Sequence, residues 1–234
     1  DASIRGQLTP LVGRTQEVGV LLDRWQVSRG GEGQVVLVQG EPGIGKSRLL
    51  RAFRERAGDA LETVLQFQCS PYYSNSAFYP FVDQLERTLG FTGEDGVEDK
   101  LERLESWMLG QMGRSRSDCG LLARAMAMAC EARYEVPEMS PQRQKEDTVA
   151  LLVDLIEHQA KQRATAVLFE DVHWSDPTSV EVLTALVERA AALPLLVALT
   201  YRPEFSPPWL SRPHVTLIAL NRLSRAQGAS VVLG

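Results

Sequence analysis

The 234-residue chain holds 44% hydrophobic and 24% charged residues, an ordinary globular mix that argues against disorder and allows a core without covalent staples. Its net charge of −5 and pI near 5.4 argue against a nucleic-acid-binding module, which needs Lys and Arg clustered against phosphates. Cys69, Cys119 and Cys130 form no CxxC pair, so neither a disulfide framework nor a zinc site is expected. Reduced thiols fit a cytoplasmic protein. No apolar run is long enough to span a membrane, and no signal peptide heads the chain. The start at Asp1 suggests a piece of something larger.

Residues 1–10 read as a polar lead-in to Leu11, Val12, Gly13 and Arg14. Val18, Leu21, Leu22 and Trp25 then recur at i, i+3, i+4 and i+7, one face of a helix that Gly30, Gly31 and Gly33 end. Gln34–Gln39 contains the continuous apolar run Val35–Val38, expected of a strand buried on both faces of a parallel sheet.

The next eight residues are Gly40, Glu41, Pro42, Gly43, Ile44, Gly45, Lys46 and Ser47, which match G-x-x-x-x-G-K-[ST] between a strand and a helix. Glycines at 40, 43 and 45 are expected to free the backbone and bring its N–H groups close to phosphate oxygens. The loop opens onto a helix start, worth about half a positive charge. Lys46 adds a full charge at the β- and γ-phosphates, the Ser47 hydroxyl is a ligand for Mg²⁺, and Arg48 joins the nucleotide-binding set. This is the strongest signal in the chain, and it predicts an ATP/ADP site.

The helix predicted over Lys46–Ala57 turns Leu49, Leu50 and Phe53 inward, and Thr63–Gln68 reads as a second strand. Residues 70–140 carry three helical patterns, at about 78–89, 97–112 and 118–133. They are too long for a loop and predict a helical insertion between the second and third core strands. The aromatics Tyr72, Tyr73, Phe78, Tyr79 and Phe81 read as its packing, and Arg114 and Arg116 as part of a solvated basic loop. Ser140-Pro141 signals a helix start and predicts a helix to about Gln162.

Ala166–Phe169 is the next expected strand, ending in Glu170-Asp171. Two adjacent carboxylates repel unless a cation lies near, and a strand-end acid of this kind supports Mg²⁺ in P-loop enzymes. Glu170 is assigned mainly to the metal and Asp171 mainly to the attacking water. His173 follows closely, and a lone His of this kind is more often structural than in contact with nucleotide or the attacking water. Asp176-Pro177 starts another helix by the same capping logic; Leu195–Thr200 and Val215–Leu220 complete the strands. Arg202, just past the fourth strand, lies where such sheets line a ligand crevice. It either senses a γ-phosphate or pairs with Glu204. The tail from Arg222 to Gly234 reads as the first turns of a further helix, a second hint of truncation. The expected fold is α/β, a P-loop NTPase three-layer sandwich with a parallel sheet and helices on both faces.

The stretches LVGR, GEPGIGKSRLL, FEDVHWSDPTS and TYRPEF together resemble the AAA-type ATPase modules of the STAND class. CSPYYSNSAFYPFVDQLE and SPQRQKEDTVALL are similar to the version found in large bacterial regulatory proteins, beside a class III nucleotide cyclase or a DNA-binding domain and tetratricopeptide repeats. The likeness spans about residues 11–225. It implies that Leu11, Val12, Gly13 and Arg14 lie near the adenine, that Glu170 and Asp171 fill the Walker B positions, and that Arg202 matches a sensor. The family's frequent acid after LVGR is Thr15 here, and a lid and winged-helix segment would follow the sheet.

The function expected is a regulatory ATPase that binds Mg·ATP, hydrolyses it slowly and switches an attached cyclase or transcriptional output. ATP-dependent self-association is a family habit. The domain itself is expected to touch neither nucleic acid nor membrane. The alternatives are a scaffold that holds nucleotide without turning it over, and a nucleic-acid loader of the origin-recognition type.

Overall fold

The computed structural model describes residues 13–134 and 139–222. Five parallel strands form one sheet: β1 (Gln34–Gly40), β2 (Thr63–Gln68), β3 (Thr165–Glu170), β4 (Leu195–Tyr201) and β5 (Val215–Leu220), in the order β2-β3-β4-β1-β5. Every residue of β3 and β4 is buried, as expected of strands covered on both faces. The edge strand β5 instead alternates over its last four residues, with Ile218 and Leu220 buried and Leu217 and Ala219 exposed.

Strand alternation builds two cores. Val36, Val38, Ala166, Leu168, Leu196 and Ala198 point to one face, against α1 (Thr15–Arg29) and α2 (Lys46–Ala57). Val35, Leu37, Val167, Phe169, Val197 and Leu199 point to the other. There they meet α3 (Tyr79–Leu89), α4 (Val97–Gly110), α5 (Arg116–Ala125), α6 (Pro141–Gln162) and α7 (Pro177–Ala190). The three layers and the insertion between the second and third core strands are as the sequence predicts.

Two of the α starts are set by the caps expected. Ser140 Oγ accepts from the Arg143 N–H, with Pro141 in the first turn of α6. Asp176, 2% exposed, accepts at Oδ1 from the Ser179 N–H at 2.9 Å and from the Phe78 N–H at 3.3 Å. One carboxylate thereby caps α7 and anchors the entry to α3, joining the insertion to the segment after β3.

The third insertion helix stops eight residues short of its expected end. Ala127 is left-handed at φ 54°, and Ala127 N–H and Met128 N–H bond back to Arg124 O and Ala123 O. That is a Schellman stop made without glycine, so no residue announced it. Beyond it Cys130 and Tyr134 still pack into the core, which is why the apolar pattern ran on.

The loop of Arg114 and Arg116 is solvated as expected at Arg116, which is exposed, while Arg114 is half-buried, and both are paired. Arg114 pairs with Asp154 at 3.3 Å, and Arg116 with the buried Glu105, which also receives Arg133 and the Tyr134 hydroxyl. Of the aromatics, Phe78 and Phe81 are buried and Tyr73 stacks on Tyr79, with ring centroids 3.9 Å apart. Tyr72 departs from the packing expectation: it is 90% exposed. The lead-in, Leu11, Val12 and the tail from residue 223 lie outside the described residues.

Gly33 enters β1 against the end of α7. A Cβ there would lie 1.9 Å from Ala190 O and 2.7 Å from Leu193 O, both backbone atoms that cannot swing aside. Gly33→Ala is expected to cost about 1–3 kcal/mol by overpacking. The check is a lower denaturant midpoint at unchanged slope.

Candidate phosphate-binding site

β1 ends at Gly40, and the loop from Glu41 to Gly45 delivers the chain to α2. Gly43 (φ 73°) and Gly45 (φ 101°) take the left-handed conformations expected of them. Gly40 serves a different purpose: a Cβ there would meet Ile44 Cγ2 at 2.7 Å and Leu220 Cβ at 3.2 Å. Its role is close packing, not backbone freedom. Ile44 N–H bonds to Glu41 O, and Leu49 N–H bonds to Gly45 O as the first helical turn closes. Gly45 caps α2 with no side chain, and no acid sits in the first turn. The positive helix end is therefore not neutralised by a carboxylate of its own.

Lys46 is 7% exposed, and its Nζ donates to Gly40 O at 2.8 Å and Glu41 O at 3.1 Å. The loop thus wraps its own ammonium. Burial lowers the Lys46 pKa below the usual lysine range, and the nearby Asp171 carboxylate opposes that shift. Glu41, Pro42, Gly43 and Ser47 are exposed, Ser47 on the first turn of α2; Arg48 beside it is half-buried.

The order β3-β4-β1 puts the acidic end of β3 two strand spacings from the loop, about 10 Å. The two acids separate there. Glu170 shares the parity of Ala166 and Leu168, so it lies on the α2 face, 8% exposed, and accepts at Oε1 from Gln66 Nε2 at 3.2 Å. Asp171 leaves the strand in a left-handed turn (φ 58°), which Asp tolerates better than most residues. Its N–H donates to the Thr200 hydroxyl at 2.9 Å, and its carboxylate charge acts on Lys46 and His173, partly opposing the burial that lowers the pKa of each.

Arg202 takes up the pairing with Glu204 that was one of its two expected readings. Its guanidinium lies 5.4 Å from the Trp174 ring centroid and 3.9 Å from Glu204, and its charge acts on Lys46 and His173. The His173 ring nitrogens are buried with no hydrogen-bond partner among the described residues. Burial pushes its pKa below the usual histidine range, opposed by Asp171 and reinforced by Arg202 and Lys46. Lys46, Asp171, His173, Arg202 and Glu204 thus form one electrostatic cluster.

Gly13 and Arg14 lie apart from that cluster, at a cleft beside the end of β5 lined also by Ala219 and Asn221. Arg14 is 6% exposed, pairs with Glu17 at 2.9 Å and donates to Asn221 O at 2.6 Å. Its side chain therefore clamps the start of α1 to the end of β5. Three residues that the sequence did not single out support the acids: Gln66, Gln68, whose Nε2 lies 3.5 Å from Asp171 Oδ2, and Thr200. Polar residues in otherwise apolar strands were the available signal.

The donors fit a small hard cation. Ser47, Glu170 and Asp171 offer only oxygen, and among the described residues no three His, Cys, Asp or Glu side chains gather to hold a metal by themselves. Mg²⁺ suits such a sparse set because it keeps waters and takes other ligands from phosphate.

Comparison with known proteins bears on the family and the fold. An uncharacterized protein of Rhizobium meliloti (strain 1021) is 31% identical over 230 residues, covering 92% of this chain and 20% of its own length. The chain thus spans about a fifth of the curated relative it matches. Among solved structures, the Aeropyrum pernix ORC1 protein in complex with DNA superposes with a TM-score of 0.52 at 12% identity, over 95% of this chain and 49% of that one. That likeness is one of fold. A STAND protein with a tetratricopeptide repeat sensor from Pyrococcus horikoshii gives 0.49 at 18% identity, over 94% of this chain and 25% of its own. Residues 10–198 match the AAA ATPase domain, and with most of its length inside that match the chain belongs to the AAA ATPase domain family.

Proposed function

We propose that the chain binds Mg·ATP at Gly40–Ser47 and hydrolyses it slowly to ADP and phosphate, as the switch module of a larger regulatory protein. The observation that carries this reading is Lys46 wrapped by the carbonyls of its own loop at a helix start, with the Asp171 carboxylate at the end of β3 near enough for its charge to act on it. Lys46 would exchange its loop carbonyls for the β- and γ-phosphates, with the first-turn N–H groups of α2 beside it. Glu170 lies by strand parity on the sheet face that α2 covers, and Ser47 is in the first turn of α2, which favours a role for Glu170 toward the metal. Asp171 orients a water and accepts its proton as the water attacks the γ-phosphorus and the bond to ADP breaks. Arg202 stabilises charge on the transferring group. Bound Mg²⁺ would neutralise charge on the β- and γ-oxygens.

The STAND class is favoured by the ordered set of sequence stretches rather than by any one site residue. Within that class the output would be a cyclase or a transcriptional regulator on the same polypeptide, with self-association when ATP is bound. Fast turnover is not required of such a switch. The net charge of −5 disfavours the nucleic-acid loader reading.

The test is phosphate release from Mg·ATP by the wild type beside Lys46→Ala, with nucleotide affinity measured in parallel. Losing one charge-assisted contact to phosphate is expected to weaken affinity by about 10–100-fold and to abolish release. A wild type that binds without releasing phosphate would instead fit the scaffold reading. Equal binding by both proteins would remove the phosphate-loop assignment.

A further inference from the structure

Gln66 sits in the middle of the edge strand β2, in register with Leu168 and two residues before the Gln68↔Glu170 pair. An amide beside a carboxylate can present either its oxygen or its nitrogen, and only the nitrogen attracts. Here the choice is made by α2: Arg54 Nη1 donates to Gln66 Oε1 at 2.8 Å. The amide nitrogen is thereby turned toward Glu170 Oε1 at 3.2 Å. The backbone of Gln66 is held as well. Its carbonyl accepts from Arg87 Nη2 of α3 at 3.0 Å, and Arg87 is itself paired with Asp83 at 2.7 Å.

We propose that Gln66, oriented by Arg54, is a positioning residue that aims the Glu170 carboxylate at the metal. Fixing one carboxylate oxygen restricts where the other can point. A residue that grips a metal ligand without touching the metal commonly governs affinity for the ion. The proposal rests on the Mg²⁺ role given to Glu170 above, and it extends the site from the phosphate loop to α2 and, through the Gln66 backbone, to α3.

The experiment is calorimetric binding of a non-hydrolysable ATP analogue to the full chain across a Mg²⁺ series and in EDTA, with thermal unfolding as the fold check. Gln66→Leu is expected to raise the Mg²⁺ concentration needed for half-maximal enhancement by about tenfold or more. Arg54→Leu, which frees the amide to flip, is expected to shift it in the same direction by less, and Arg54→Lys, which keeps a donor, to restore it. Combined with Glu170→Gln, the Gln66 change should add nothing, since its only route to the metal is gone. A wild type indifferent to Mg²⁺ would overturn the metal reading itself. A responsive wild type with an equally responsive Gln66→Leu would overturn the role of Gln66 alone. An equal loss in EDTA and in Mg²⁺ would mark distortion of the phosphate loop, and it too would overturn the assignment.

Discussion

Asp171→Asn is expected to lower phosphate release by about 10²–10⁴-fold, the span of a positioned general base, while nucleotide stays bound. Asparagine is the informative replacement because the residue at 171 is left-handed at φ 58°. Asn tolerates that conformation nearly as well as Asp and keeps the N–H bond to Thr200 Oγ1. The backbone turn is preserved and only the charge is lost. Removing an anion whose charge acts on Lys46 cannot repel the triphosphate, so affinity should hold or rise. Glu170→Gln should behave differently: its first effect is on the Mg²⁺ requirement, because that carboxylate lies on the sheet face covered by α2, whose first turn holds Ser47. Single-turnover phosphate release, read against calorimetric affinity, separates the two roles. Equal defects in both variants would show that the acids work as one unit and that the division of labour is wrong.

Phe169→Ala is expected to destabilise the domain by about 3–5 kcal/mol, the range for truncating a buried aromatic. Phe169 is 0% exposed in a central strand, stacked on Phe67 with centroids 4.3 Å apart and tilted against Phe81 at 5.4 Å. The three rings join β2, β3 and α3, so the cavity would open where the insertion meets the sheet. Collapse into it is resisted by strands hydrogen-bonded on both sides, which places the cost toward the upper end of that range. Denaturant unfolding checks the value, with Tyr72→Ala as the contrast: that ring is 90% exposed, and the change should fall within about 0.5 kcal/mol. A small effect at Phe169 would mean that the insertion repacks as a unit.

The phosphate loop was legible in the residues because its chemistry is local. Glycine spacing, a lysine and a helix start act within eight consecutive residues, and Gly43 and Gly45 adopt the backbone that their lack of a side chain permits. The strands were legible for a similar reason, since burial on both faces demands unbroken apolar runs such as Val35–Val38. The caps at Ser140 and Asp176 are likewise properties of neighbouring residues.

What the residues could not disclose were relations between distant segments. Gly40 is crowded by Ile44 of its own loop and also by Leu220, 180 positions away, a contact that exists only once β1 and β5 pair. The parting of Glu170 and Asp171 needs the strand parity and the turn that follows it. The Arg54–Gln66–Glu170 chain needs α2, β2 and β3 brought together. The early end of α5 is set by a left-handed Ala127, a residue type that signals no stop. Sequence by itself determined the sheet, its phosphate loop and the acids at the strand end, because these depend on short-range pattern. Tertiary structure alone decided which acid faces which partner, because a side chain's neighbours are fixed by strand order and register, which no local pattern encodes.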